Sequence, residues 1–300
     1  MYDKILVPLD GSALAEVTLA YAPGLAARLH SSITLVYVTA PDDVTSPFMY
    51  ECYLKEIADR TKAVAEERAS ETGGGEIKVD YKVLKGDAAE EIVDYANKAK
   101  IDLIVMTTQG RSGVKRWALG NVANKVSRAT RKQVFLIRAK GAKTDVDMVG
   151  LSKVLVPVDG SKESEYILRY VTYMATELNL EVTLLHFWAF GIASPSVESL
   201  KQIDKEQKRR ENYIKRLAAL LKQKGVNVNS AFIKGMAGGE AEEIIKLAEE
   251  GNFSLVAMTT HGRSGVGRWI FGSNAEKVLA EGSTPLLLVR PPKKRKTKAE

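Results

Sequence analysis

Short apolar runs alternate along the chain with longer stretches whose apolar residues recur at helical spacing. Runs rich in β-branched residues predict strands at Lys4–Leu9, Ser32–Val38, Ile77–Val83, Leu103–Thr107 and Val134–Arg138. Amphipathic stretches near Leu14–Leu29, Phe48–Glu71, Ala88–Ala99 and Asn121–Thr130 predict helices between them. Ile5-Leu6-Val7 and Leu103-Ile104-Val105-Met106 are apolar without alternation, as strands buried on both faces must be. Strand candidates return at Lys153–Val158, Glu181–Phe187, Asn227–Ile233, Leu255–Thr259 and Leu286–Arg290. This order predicts an α/β fold: in each half, a five-stranded, doubly wound parallel sheet with helices on both faces.

The second half repeats the first. Lys4 to Ser12 (KILVPLDGS) recurs as Lys153 to Ser161 (KVLVPVDGS), an offset of 149, and Lys85-Gly86 recurs at the same offset as Lys234-Gly235. Met106 to Val126 recurs as Met258 to Val278, offset by 152, with 14 of 21 positions identical. A period this long is a duplicated domain rather than a solenoid repeat. The expected boundaries are a first domain over 1–140, a polar linker over 141–150, a second domain over 151–290 and a basic tail over 291–300.

Composition narrows the class. A chain of 300 residues, 45% hydrophobic and 27% charged, has ample material for two packed cores. No apolar run approaches the ~18–20 residues that cross a bilayer. Met1 to Val7 lacks the pattern of a signal peptide, and the single Cys52 cannot make an internal disulfide. A cytoplasmic protein is expected, with neither membrane nor nucleic acid as partner. The net charge of +7 supports this, because +4 of it sits in the last ten residues. A short basic end of this kind is ordinarily a solvated tail.

Chemistry is expected at the carboxyl ends of the strands, where open parallel sheets bind ligands. Asp10-Gly11-Ser12 and Asp159-Gly160-Ser161 close the first strand of each half; Thr107-Thr108-Gln109-Gly110 and Thr259-Thr260-His261-Gly262 close the fourth. Gly110, Gly113 and Gly120 allow a loop to approach a ligand closely, and the segment enters a helix at Asn121, or at Ser273 in the second half. The N–H groups and dipole of that helix start favour phosphate. Arg111 and Arg116, matched by Arg263 and Arg268, would add charge-assisted bonds. Asn121 would also serve as an N-cap, and Ser273 to Glu276 is also a capping box. Capping does not account for a whole glycine-arginine loop in both halves, and the pattern favours a phosphate cradle. Asp10 and Asp159 have two readings: helix caps, or acceptors for ribose or adenine.

The strand motif Pro-Leu/Val-Asp-Gly-Ser, followed by Gly-Arg-Ser-Gly and a later Gly-Asn or Gly-Ser, resembles the universal stress protein (UspA) family in its tandem, ATP-binding form. The resemblance covers about residues 1–138 and 151–290. It implies two adenine nucleotide alpha hydrolase-like domains that bind ATP, ADP or AMP with Mg2+ or Mn2+ and act in stress response. The implied sites are Pro8, Asp10, Val38, Met106, Thr107, Gln109, Gly110, Arg111, Gly113, Gly120 and Asn121 in the first half. In the second they are Pro157, Asp159, Phe187, Met258, Thr259, His261, Gly262, Arg263, Gly265, Gly272 and Ser273. Adenine contacts are implied at Val38 and Phe187, largely through backbone.

Two departures from the family loop stand out. Thr107 and Thr259 replace its first glycine, with hydroxyls that could face a phosphate; Asn121 replaces its final Ser/Thr, so the second half matches better. A P-loop and a nucleophile elbow are both absent. His30 ends a helix, and Tyr37 and His186 read as packing residues. The leading expectation is therefore a regulatory nucleotide-binding module with at most weak ATP hydrolysis. The alternatives are a slow hydrolase or transferase using His261 in one half only, and a nucleotide-free interaction protein. The last strands, Gln133–Arg138 and Pro285–Arg290, are apolar edges, and the two halves are expected to pair through them. Self-association beyond that pair is left open.

Overall fold

The computed structural model describes residues 1–71, 73–110, 120–138, 150–189, 197–262 and 271–292. The first half runs β1 (Lys4–Leu9), α1 (Ala13–Glu16), a 3-10 turn (Val17–Ala20), α2 (Ala22–Leu29), β2 (Ser32–Thr39) and α3 (Pro47–Glu71). It continues with β3 (Val79–Lys85), α4 (Ala88–Lys98), β4 (Leu103–Thr107), α5 (Asn121–Ala129) and β5 (Gln133–Ile137). The second half repeats the order: β6 (Lys153–Pro157), α6 (Lys162–Glu165), α7 (Leu168–Leu178), β7 (Glu181–Ala189) and α8 (Val197–Gln223). It ends with β8 (Val228–Gly235), α9 (Glu240–Glu250), β9 (Leu255–Thr259), α10 (Ser273–Glu281) and β10 (Leu286–Val289).

The helix expected over Leu14–Leu29 is broken. Pro23 has no N–H to continue a helix from α1, so the chain passes through the 3-10 turn and restarts with proline in the first turn of α2. α2 then stops at His30, which adopts the left-handed conformation with φ 53°; Asn179 ends α7 in the same way with φ 52°. β3 lies two residues later than its pattern suggested, because Ile77 is drawn into the core and Val79 is the residue that pairs with Ile33.

Within each half the strands are parallel, in the order β3-β2-β1-β4-β5 and its counterpart β8-β7-β6-β9-β10. β5 and β10 then pair antiparallel, with Leu287 opposite Phe135, giving one ten-stranded sheet. The strands that looked like vulnerable edges are thus its centre. The true edges, β3 and β8, carry Asp80, Lys82, Lys85 and Lys234, charges that discourage further strand addition.

Two hydrophobic layers sandwich the sheet. Ile5, Val7 and Leu9 face the layer of α2, α3, α7 and α8, while Leu6 faces that of α4, α5, α9 and α10. Both layers run through both halves, and Tyr2 packs on Tyr173 at 5.7 Å across the junction. Arginines reinforce the seam: Arg138 donates to Leu279 O, and Arg290 donates to Arg128 O at 2.8 Å.

Candidate functional site

At the tip of β1 the chain turns through Gly11, whose φ of 75° favours glycine; Gly160 does the same at 88°. This turn folds Ser12 back beside Asp10. Asp10 Oδ1 accepts from Ser12 N at 3.0 Å and from Ser12 Oγ at 2.6 Å, while Ser12 Oγ accepts from Ala15 N. Asp159 and Ser161 repeat the arrangement at 2.9 and 2.6 Å. The serine, not the aspartate, is therefore the helix cap, and the aspartate orients it.

Opposite each aspartate stands the first loop glycine. A Cβ on Gly110 would collide with the Asp10 carboxylate, and one on Gly262 with that of Asp159. Neither φ lies in the left-handed region, so close approach rather than a special turn demands glycine here. Gly120 is confined differently: its N–H donates to Thr108 O at 2.6 Å, and a Cβ would lie 2.9 Å from that same oxygen. The threonines that replace the family's first glycine do not offer their hydroxyls to a ligand. Thr107 Oγ1 donates to Gln109 O at 2.7 Å and Thr259 Oγ1 to His261 O at 2.8 Å, closing the loop on itself.

The helix starts correct a second expectation. Asn121 and Ser273 are the first helical residues, not caps. The capping positions belong to Gly120 and Gly272, and among the described residues neither helix has a side-chain cap. The bond from each glycine to the preceding threonine carbonyl holds it extended, so Asn121 and Ser273 start one position too late to fold back. Ser12 on α1, Ser161 on α6 and Asp87 on α4 do cap their helices, whereas α2, α7 and α9 also start without a side-chain cap.

Around these elements lie two cavities, of about 260 Å³ in the first half and about 320 Å³ in the second. The structure brings Pro8, Asp10, Val38, Met106, Thr107, Gln109, Gly110, Gly120 and Asn121 to the wall of the first. It brings Pro157, Asp159, Phe187, Met258, Thr259, His261, Gly262, Gly272 and Ser273 to the wall of the second. Arg111, Gly113, Arg116, Arg263, Gly265 and Arg268 lie outside the described residues. Phe187 enters its cavity with its ring against Gly235, where a Cβ would sit 2.8 Å from Cε2.

Sequence reasoning missed one wall of each cavity: Ala88 and Ile92 on α4, and Glu240 and Ile244 on α9. The repeated Lys-Gly pair just before these helices was their available signal. It also missed Arg210, which reaches the second cavity from α8. Beneath the strand tips Tyr53 donates to Glu16 at 2.9 Å, and Tyr213 to Glu165 at 2.9 Å. Burial first, then those carboxylates, push both phenols well above their usual range, so they stay neutral donors. Among the described residues no cluster of His, Cys, Asp and Glu could hold a metal ion by itself.

The profile of the universal stress protein family matches residues 1–138 and again 150–290. This chain belongs to the universal stress protein family. A universal stress protein of Mycolicibacterium smegmatis is 24% identical over 297 residues, covering 96% of this chain and 97% of that one. One from Methanocaldococcus jannaschii is 32% identical over 148 residues, 46% of this chain and 83% of its own. Among solved structures, a universal stress protein from Archaeoglobus fulgidus aligns with a TM-score of 0.68 at 20% identity, covering 97% of this chain and 99% of that one, which shows a shared fold. No described helix is long and apolar enough to cross a membrane.

Proposed function

We propose that this universal stress protein is a cytoplasmic tandem nucleotide-binding module, each half taking ATP or a related adenine nucleotide, with the second half the stronger site. The observation that carries this reading is the pair of uncapped helix starts. In each half the first turn opens onto a cavity whose facing wall holds a strand-tip aspartate. Backbone N–H groups with the helix dipole behind them suit phosphate. Pro157, Phe187, Ile244 and Met258 supply an apolar slot for a purine, and Asp159 an acceptor for ribose hydroxyls. Mg2+ or Mn2+ would enter on the phosphates.

The second site is the roomier, places Ser273 where the first has Asn121, and has Arg210 in its wall. A binding role fits better than an enzymatic one. His261 Nδ1 lies 2.9 Å from Thr260 Oγ1, and its counterpart in the first half is Gln109, so no imidazole is common to both sites. Nucleotide occupancy would then report cellular state to a partner in the stress response.

Calorimetry with ATP and Mg2+ tests the reading. Asp159→Ala and Gly262→Val should each weaken the second site by about tenfold or more, as loss of a charge-assisted contact does. Wild-type affinity in both variants would refute it.

A further inference from the structure

Behind the tip of β6, on the α8 side of the sheet, lies a groove of about 630 Å³ that none of the expected nucleotide contacts uses. Lys162, Arg209, Arg210 and Arg216 line it, against the carboxylates of Glu165 and Glu206. Those two carboxylates are already engaged. Glu206 accepts from Arg210 Nε at 2.8 Å and from Arg209 at 3.4 Å, and Glu165 accepts from Tyr213. Lys162 and Arg216 make no ion pair among the described residues.

Arg210 is the hinge of the arrangement, because it lines both this groove and the nucleotide cavity. Its place is set by His186, which is fully buried at the groove floor. Val158 O can only accept, so His186 Nδ1 donates to it at 2.7 Å. Nε2 then faces Arg210 Nη1 at 3.5 Å. With Glu206 on Nε and His186 beside Nη1, the guanidinium is fixed at the boundary with further N–H donors to offer.

The first half has none of this. Tyr53 and Tyr213 make equivalent bonds to Glu16 and Glu165, which aligns α3 with α8. On that alignment Arg209, Arg210 and Arg216 correspond to Met49, Tyr50 and Glu56, and Lys162 to Ala13. His186 corresponds to Tyr37, which stacks on Tyr50 at 4.5 Å, while Tyr50 donates to Asp43. An aromatic plug thus stands in one half where the other has a basic groove.

We infer that this groove is an oligophosphate site peculiar to the second half, adjoining the nucleotide cavity through Arg210. Its ligand is a chain of phosphates, either free or attached to the bound nucleotide; only the attached form rests on the nucleotide reading above. Arginine and lysine at such spacing, with no competing carboxylate unengaged, suit several phosphate oxygens at once.

The test uses the full chain, the double variant Lys162→Gln/Arg216→Gln, and three probes: inorganic tripolyphosphate, ATP and diadenosine tetraphosphate. Both substituted side chains are exposed and outside the nucleotide cavity, so the variant should fold and keep ATP affinity within about twofold. Tripolyphosphate that binds beside saturating ATP, and about tenfold more weakly to the variant, establishes the free form. Diadenosine tetraphosphate that outbinds ATP on the wild type, but not on the variant, establishes the attached form. Tripolyphosphate binding without any ATP binding, still lost in the variant, upholds the groove while ending the nucleotide reading. Equal affinities of wild type and variant for both long probes, with ATP bound normally, overturn the groove alone.

Discussion

Gly262→Ala is the smallest change that interrogates the site. The added Cβ would meet the Asp159 carboxylate, so either the loop or the carboxylate must move. The carboxylate cannot move cheaply, because Oδ1 accepts from Ser161 N at 2.9 Å and Ser161 Oγ at 2.6 Å, and that serine caps α6. Hydrogen bonds to a charged group contribute about 1.5–3 kcal/mol each, so Gly262→Ala should cost about 2–4 kcal/mol. In an Asp159→Ala background the obstacle is gone. Since Gly262 does not have a left-handed φ, alanine there should be neutral or stabilising by about 0.5 kcal/mol. Urea unfolding of wild type, both single variants and the double variant gives the coupling energy directly, expected at about 2–4 kcal/mol. If Gly262→Ala costs the same in both backgrounds to within about 0.5 kcal/mol, the glycine is not required by the carboxylate and this reasoning fails.

Other expectations concern the frame that holds the site. Phe135 is fully buried at the β5–β10 junction, and Phe135→Ala should lower unfolding free energy by about 3–5 kcal/mol in urea titrations. Val289→Lys, which puts a charge on buried β10, should separate the halves, and unchanged small-angle scattering would count against the pairing. Asp87 caps α4 through the N–H groups of Ala89 and Glu90. Its carboxyl is held below the ordinary aspartate value of 3.8 by the Glu90 N–H and then by Lys125, so its contribution is present above that pH and lost as pH falls below it. Asp87→Ala should cost about 1 kcal/mol at pH 7 and flatten the acid limb of the stability curve. At the alkaline end Tyr170 is pushed up to about 12 by burial and then by its bond with Tyr166. The folded protein resists ionising it, so stability falls as the pH rises from 10 to 12, and Tyr170→Phe should flatten the alkaline limb of the stability curve.

Much of this was visible in residue order. Unbroken apolar runs such as Leu103 to Met106 matched strands covered on both faces, and the duplicated motifs fall at the strand tips. Other features depend on what distant segments bring. Pro23 inside an otherwise helical pattern was a local signal that the length of the pattern obscured. Ser273 to Glu276 has the spacing of a capping box, but the bond from Gly272 N to Thr260 O, set by a residue twelve positions earlier, moves the helix start past it. Arg210 lay unnoticed in a charged helix face, because only the packing of α8 over β7 brings it to His186 and the cavity.

The central seam carries an evolutionary consequence. Two identical subunits joined edge to edge must accept every substitution twice, so an arginine placed in one pocket appears in its mate. Joining both copies in a single polypeptide removes that restriction while the shared core keeps them in register. Tyr50 and Arg210 occupy equivalent places on their helices, yet one seals a stack of rings and the other guards an open channel.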